Sequence, residues 1–377
     1  MKNTIKIVKY QNEIDKLSKI DVSVLEGHWS YSEQAIIGAF ESSDRKIRAG
    51  IINTLLNGFL GGLFISVGYI AALYAIQGIT TTGIKQVIFG IVFPVGLLLV
   101  TFLGGGIYTS HCVGFINAAT GHANPWLFVR NLLLIFLSNF IGCLFAAVII
   151  YYAAVYGHQT TTDLNSFAGQ TMNMIQHKVG SIGEALAHGH AVTSSDMGIT
   201  FLNSLMSGIF CNILVAATLY VTYSSKSPTA SILCIFFVLL AFCISGYQHV
   251  VANSFIFWMN VLMLGTPMFG TEVLPGSSVG YFAGFNLLPA FIGNFLGGAV
   301  IIPTVAYFIA HKKVAATAVN LKKENYGSKI KILQLKAGFA EIIDNNFVLD
   351  QDKFSKAINN VQLPVKKQWF IKKEKIK

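Results

Sequence analysis

Apolar residues run along this chain in long blocks with almost no charge inside them. Six blocks read as spans: about Ile51–Ile76, Gln86–Tyr108 with an apolar continuation to Ala119, Pro125–Tyr156, Ile199–Tyr223, Ser231–Leu264 and Val279–Ala310. Each is long enough for the roughly 20 residues a helix needs to cross a bilayer. No Asp or Glu occurs between Asp44 and Asp163, or between Asp196 and Glu272. Ions are expensive in lipid, and this chain keeps carboxylates out of it. Composition agrees: 53% of the 377 residues are hydrophobic and 12% charged. The chain reads as an all-α polytopic membrane protein.

Two spans are too long for simple helices, and each carries a glycine-containing polar cluster. These are "GGGIYTSHCVGF" (Gly104–Phe115) and "SGYQHVVANSF" (Ser245–Phe255). Irregular backbone at membrane depth is tolerated only where protein or a water-filled cavity surrounds it, so two such interruptions point to a pathway. The halves also resemble each other. "LNGFLGGLF" (Leu56–Phe64) matches "LNSLMSGIF" (Leu202–Phe210), and "NLLLIFLSNFIG" (Asn131–Gly142) matches "NLLPAFIGNFLG" (Asn286–Gly297). The interruptions align with Gly106 on Gly246, Thr109 on His249 and Phe115 on Phe255. Three spans per repeat force opposite orientations, and inverted repeats place a substrate site near the midplane between broken helices.

The net charge of +10 is concentrated at the ends. Between Ile51 and Ala310 there are only Lys85, Arg130, Lys178 and Lys226. That is the positive-inside pattern rather than a nucleic-acid surface, and it puts both termini in the cytoplasm of a cell membrane. The expected organisation is a cytoplasmic segment 1–50, a transport domain 51–310 and a cytoplasmic basic tail 311–377. Within the transport domain, repeats 51–156 and 199–310 flank an external loop, 157–198. The tail reads as partly helical or disordered and drawn to anionic lipid. The opening residues form no cleavable signal peptide, so the first span is the expected insertion signal. All five cysteines fall in apolar segments without a CxxC pair and read as small buried hydrophobes.

"GYQHVVAN", "IYTS" and "SGIFCNILVA" resemble the formate–nitrite transporter family, and the resemblance extends over Ile51–Ala310. It implies six-span protomers with an aquaporin-like inverted fold, broken helices 2 and 5, and a pore in each protomer of a homopentamer. It also implies passage of small monovalent anions or their acids, such as formate, nitrite, hydrosulfide, acetate or lactate. By the same resemblance His249 is the central pore histidine and Thr109 the threonine of the span-2 interruption. Phe93 and Phe242 would form the outer constriction, and Leu97, Ile107 and Tyr108 the inner one. Asn212 and Asn253 match asparagines of the family. Three positions depart from it. Gly106 and Gln248 stand where acidic residues are common. Asp196 stands where an anion-attracting lysine is usual, which leaves Lys178 in the enlarged loop as its candidate substitute.

Physical chemistry gives His249 a role of its own. It is an ionisable group in a membrane-depth break, flanked by Gln248 and Asn253, and its unperturbed titration falls in the physiological range. A bare carboxylate cannot cross a dry phenylalanine constriction, whereas a neutral acid can. The expected mechanism attracts the anion, protonates it with His249 supplying or relaying the proton, and uses Thr109, Asn212 and Asn253 as hydration is stripped. An aquaglyceroporin-like channel for water or small neutral solutes is the alternative; it would carry paired Asn-Pro-Ala turns, where this chain has "NAA" and "VAN". An enzyme is disfavoured, because the spans hold His111 and His249 but no carboxylates. His158, His177, His188 and His190, with Asp163, Glu184 and Asp196, share the external loop. "HGH" lacks dependable ligand spacing, so the loop reads as a solvated vestibule without metal. No cofactor is expected.

Overall fold

The structure is a computed structural model that describes residues 2–157 and 160–359. His158 and the tail from residue 360 onward lie outside the described residues. The chain divides into two compact units, His28–Val314 and Met1–Gly27 with Ala315–Lys377.

The larger unit is helical. Among the described residues, five helical runs are long and apolar enough to cross a membrane: Ile51–Ala75, Thr82–Leu103, Pro125–Ala154, Ser194–Tyr223 and the run starting at Ser277. The block expected at Ser231–Leu264 is two shorter apolar helices, Pro228–Ile244 and Val250–Leu262. Ahead of the first span lies Tyr31–Arg48, started by a capping box between Ser30 and Glu33. In the last run, Ala310 leaves helical geometry at φ −123°, the point where the apolar pattern ends.

Glycine sets how closely the spans approach. A Cβ on Gly62 would stand 2.0 Å from the Asn139 carbonyl, and one on Gly142 would stand 2.2 Å from that of Phe59. In the second half, Gly293 and Gly297 face the Leu205 and Ile209 carbonyls at 2.3 and 2.2 Å in the same way. No side chain fits there, so Ile51–Ala75 and Pro125–Ala154, and Ser194–Tyr223 and the run starting at Ser277, pack backbone to backbone. The last run also contains two π-helical stretches, Ala283–Leu287 and Leu296–Ile301. Such stretches insert residues into a helix and often mark functional positions.

The described part of segment 157–198 differs from the solvated external loop expected of it. It folds into helices Phe167–Lys178 and Gly180–Ala187, with Phe167, Met172 and Ile182 fully buried. Gln170 donates to the Ile76 carbonyl at 3.1 Å, and Gln176 exchanges two hydrogen bonds with the Phe269 backbone. The apolar face explains the difference: it has enough side chain to bury. Among the described residues no group of three His, Cys, Asp or Glu is placed to hold a metal.

The smaller unit contains helix Lys2–Leu17, whose Tyr10 stacks on Tyr326 at 5.3 Å with Lys329 above both rings. A hairpin pairs Ala340–Ile343 with Asn346–Leu349, followed by helix Gln351–Asn359. Its two turn residues, Asp344 and Asn345, both have positive φ, as a tight right-twisting hairpin requires. The described part of the tail is thus folded.

Replacing Gly297 with Ala should cost about 3 kcal/mol, because the clash is with backbone. Gly198→Ala, which meets nothing within 4 Å, should be neutral or slightly stabilising. Thermal unfolding in detergent checks the difference.

Candidate functional site

The two interruptions are built alike. Helix Val95–Leu103 ends on Gly104 at φ 90°, and helix Pro228–Ile244 is followed by Gly246 at φ 66°. The chain then runs extended to Ile107 and to His249, which cap the helices that follow. Asn139 holds the first break: its oxygen accepts from the Tyr108 amide at 2.9 Å, and its nitrogen donates to the carbonyls of Gly58 and Gly106. Asn294 holds the second the same way, with the Val250 amide and the carbonyls of Gly208 and Gln248. This corrects the sequence register by two residues. His249 corresponds to Ile107 rather than to Thr109, and Gly246 to Gly104 rather than to Gly106.

His249 and Thr109 nevertheless meet. Thr109 Oγ1 lies 3.0 Å from His249 Nε2. The Ala252 amide donates to His249 Nδ1 at 3.1 Å, so Nδ1 is an acceptor and the neutral ring carries its hydrogen on Nε2. The imidazole therefore donates to the threonine hydroxyl, whose own hydrogen is left for another partner. Asn212 braces the same point, donating to the carbonyls of Thr109 and Asn294. Gly298 leaves the room, since a Cβ there would stand 2.0 Å from the Asn212 nitrogen.

A cavity of about 400 Å³ opens above this pair and reaches His249. Phe93 and Phe242 line it, ring centroids 6.0 Å apart, with Phe242 6.1 Å from the His249 ring. Lys85, His177 and Lys178 also line it, and among the described residues no carboxylate does. Lys178 comes from the end of the folded loop. Its ammonium donates to the Gln248 side-chain oxygen at 3.0 Å, an oxygen that also accepts from Asn253 at 2.7 Å. Asn286 completes the network, accepting from Asn253 and donating to the Lys178 carbonyl. Gln248 is neutral, so it orients Lys178 without cancelling its charge. Burial pushes that ammonium down to about 8.

The structure thus brings His249, Thr109, Gln248, Asn253, Asn212, Phe93 and Phe242 around one locus. Leu97, Ile107 and Tyr108 are buried. Tyr108 does not face the phenylalanine pair: its ring stacks on Phe291 at 4.4 Å and its hydroxyl donates to the Phe291 carbonyl. Sequence reasoning missed Asn139, Asn286 and Asn294. Their signal was present as asparagines recurring at fixed places inside apolar spans.

A family model described as "Formate/nitrite transporter" matches residues 33–308. The uncharacterized transporter YrhG of Bacillus subtilis (strain 168) is 30% identical over 282 residues, which is 73% of this chain and 91% of that protein. The formate channel FocA of Haemophilus influenzae is 26% identical over 228 residues, 58% of this chain and 72% of its own. Among solved structures, an FNT family ion channel superposes with a TM-score of 0.58 at 19% identity, covering 73% of this chain and 98% of that one. A pentameric formate channel with formate bound gives 0.52 at 21% identity, covering 69% and 97%. At these identities the structural likeness is one of fold.

Asn294→Ala should leave a buried amide and two buried carbonyls short of partners, at a cost of about 3 kcal/mol or more. Asn294→Asp should do no better, because a carboxylate cannot donate to the two carbonyls. A lowered midpoint of thermal unfolding in mild detergent checks both.

Proposed function

The chain belongs to the formate/nitrite transporter family, and from that premise we propose that it passes small monovalent anions, formate-type monocarboxylates first among them, across a cell membrane as their protonated acids. The observation that carries this reading is a cavity lined with lysines, free of carboxylates among the described residues, that ends at a phenylalanine pair and a neutral histidine.

Attraction comes first. Lys178 and Lys85 make the vestibule positive, and Gln248 leaves the Lys178 charge available where an acidic residue would have neutralised it. The N-terminus of helix Val250–Leu262 adds its partial positive charge at the same depth. An anion drawn in loses water as it approaches Phe93 and Phe242. Desolvation disfavours its charged form, so its affinity for a proton rises as it descends. At the constriction the neutral acid is the species that can pass.

His249 takes part as a donor. Its Nε2–H is directed at Thr109, and that pair offers both a donor and an acceptor to a carboxylic acid stripped of hydration. Nδ1 is taken by the helix amide and a neutral imidazole does not persist as its anion, so any proton that leaves Nε2 is replaced at Nε2 in the same step by one arriving from water on the vestibule side. Asn212 and Asn253 hold the backbone and the Gln248 amide around it. The cationic lining favours anions over water or glycerol-like solutes.

The wider arrangement we propose has six spans, Pro228–Ile244 and Val250–Leu262 forming the fifth, in two inverted groups of three. The matching asparagine braces support that reading. Basic ends put both termini in the cytoplasm. Likeness to the pentameric channel supports a homopentamer with a pathway in each protomer.

Labelled formate, acetate, lactate and nitrite should each be offered to proteoliposomes across external pH of about 5 to 8, a range that brackets acid-driven uptake. Saturable flux that rises with acidity is the expected result, with His249→Phe abolishing or reshaping it while the oligomer persists. Unchanged flux in that variant contradicts the role of His249. Lys178 should lose its charge as pH rises past about 8, so the apparent KM of the anion should climb there. Lys178→Met should show the high KM at every pH, and Lys178→Arg should shift the climb to higher pH.

A further inference from the structure

His111 is a buried ionisable side chain that the reading above leaves unused. It ends the short helix Tyr108–His111, two residues beyond Thr109, with 8% of its surface exposed. Asn131 of the third span defines its state. The Asn131 nitrogen donates to the Lys46 carbonyl at 2.9 Å and to Thr54 Oγ1 at 3.2 Å. Its oxygen is therefore the atom 2.6 Å from His111 Nδ1, and Nδ1 must carry the hydrogen. A neutral His111 then presents a bare lone pair on Nε2. This is the opposite tautomer to that of His249.

That lone pair faces the first break. A Cβ on Gly106 would stand 3.0 Å from both His111 Nε2 and Ile135 Cδ1, so the absence of a side chain at 106 keeps the space in front of the lone pair open. Among the described residues Nε2 has no hydrogen-bond partner. The surroundings repeat those of the vestibule. Asn131 binds the Lys46 carbonyl as Asn286 binds that of Lys178, and His111 stands against Asn131 where Asn253 stands against Asn286. Lys46, whose carbonyl the same Asn131 holds, lies on helix Tyr31–Arg48, where Asp44 and Arg48 pair with each other at 2.8 Å. Tyr108 and Cys112 adjoin His111 on its own segment; Thr54 and Asn131 come from the first and third spans.

We propose that His111 is a second binding group of the pathway, on the inner side of the His249–Thr109 pair, whose Nε2 lone pair accepts the O–H of the protonated acid. His249 offers a hydrogen and His111 an acceptor, so an acid passing between them keeps its hydroxyl partnered. A carboxylate has no hydrogen to give Nε2 and is refused by it. Lys46 then receives the anion once the acid has lost its proton to water. This inference rests on the weak-acid reading.

The test is concentration-dependent formate uptake by the full-length protein in proteoliposomes at fixed pH. The variants are His111→Leu, His111→Gln and Gly106→Ala. His111→Leu removes the acceptor. His111→Gln keeps one. Gly106→Ala leaves the His111–Asn131 bond in place and puts a methyl group against the lone pair. The expected result is an apparent KM raised about tenfold in His111→Leu and Gly106→Ala, the size of one lost hydrogen bond, with His111→Gln within a few-fold of wild type. The double variant should be no worse than His111→Leu alone. If His111 were purely structural, the effect of Gly106→Ala would come from its pressure on Ile135 Cδ1 and would add to that of His111→Leu in the double variant, and additive effects would overturn the proposal. Wild-type KM in Gly106→Ala overturns it even where both His111 variants fail to fold. Wild-type protein that carries no acid at all refutes the weak-acid reading, and this inference with it.

Discussion

A helix that stops inside an apolar bundle exposes backbone amides and carbonyls that no water is present to satisfy. Everything distinctive here follows from how that is solved. Two asparagines, Asn139 and Asn294, each supply one acceptor and two donors to the interrupted backbone. They can do so only because glycines let the spans carrying them approach main chain to main chain. The same arrangement that permits the breaks therefore fixes where they lie, and with them the two residues that cap the resumed helices.

One cap is Ile107 and the other is His249, and this asymmetry separates scaffold from chemistry. As a cap, His249 accepts a backbone hydrogen on Nδ1, which leaves Nε2 to donate towards Thr109. Its tautomer is thus a consequence of the fold rather than of solution pH. Lys178 reaches the cavity by a different route, carried on a folded connection that buries its own apolar face. A neutral glutamine then aims its charge at the cavity. The groups to which the proposal gives attraction, dehydration and hydrogen-bond donation thus come from three separately built parts that meet at one cavity.

The sequence was most legible where lipid imposes the rule. The apolar blocks and their polar interruptions could be read, five of the six blocks appear among the described residues as helical runs long enough to cross a membrane, and the helical geometry fails at Ala310, where the apolar pattern ends. The match between halves was legible but misregistered, because the eye pairs polar with polar and set Thr109 against His249. The hydrogen bonds pair backbone positions instead, where an isoleucine and a histidine are equivalent. The external loop was read as solvated because its histidines and carboxylates drew attention from Phe167, Met172 and Ile182. The tail hairpin escaped because a positive-φ Asp344–Asn345 turn between short apolar stretches is a weak signal in a basic segment. At the site, His249 was visible as the ionisable member of a polar cluster inside an apolar block. Lys178 could be suspected but not placed, since nothing local says where a long loop will fold.

The central claim is that the acid, not the anion, crosses the constriction. Proteoliposomes loaded with a pH-sensitive dye and exposed to an inward formate gradient test it directly. Interior acidification that matches formate entry, and that is indifferent to a potassium diffusion potential, is the predicted result. Formate entry that leaves the interior pH unchanged and follows the membrane potential would mean that the ion itself permeates, and would contradict the account.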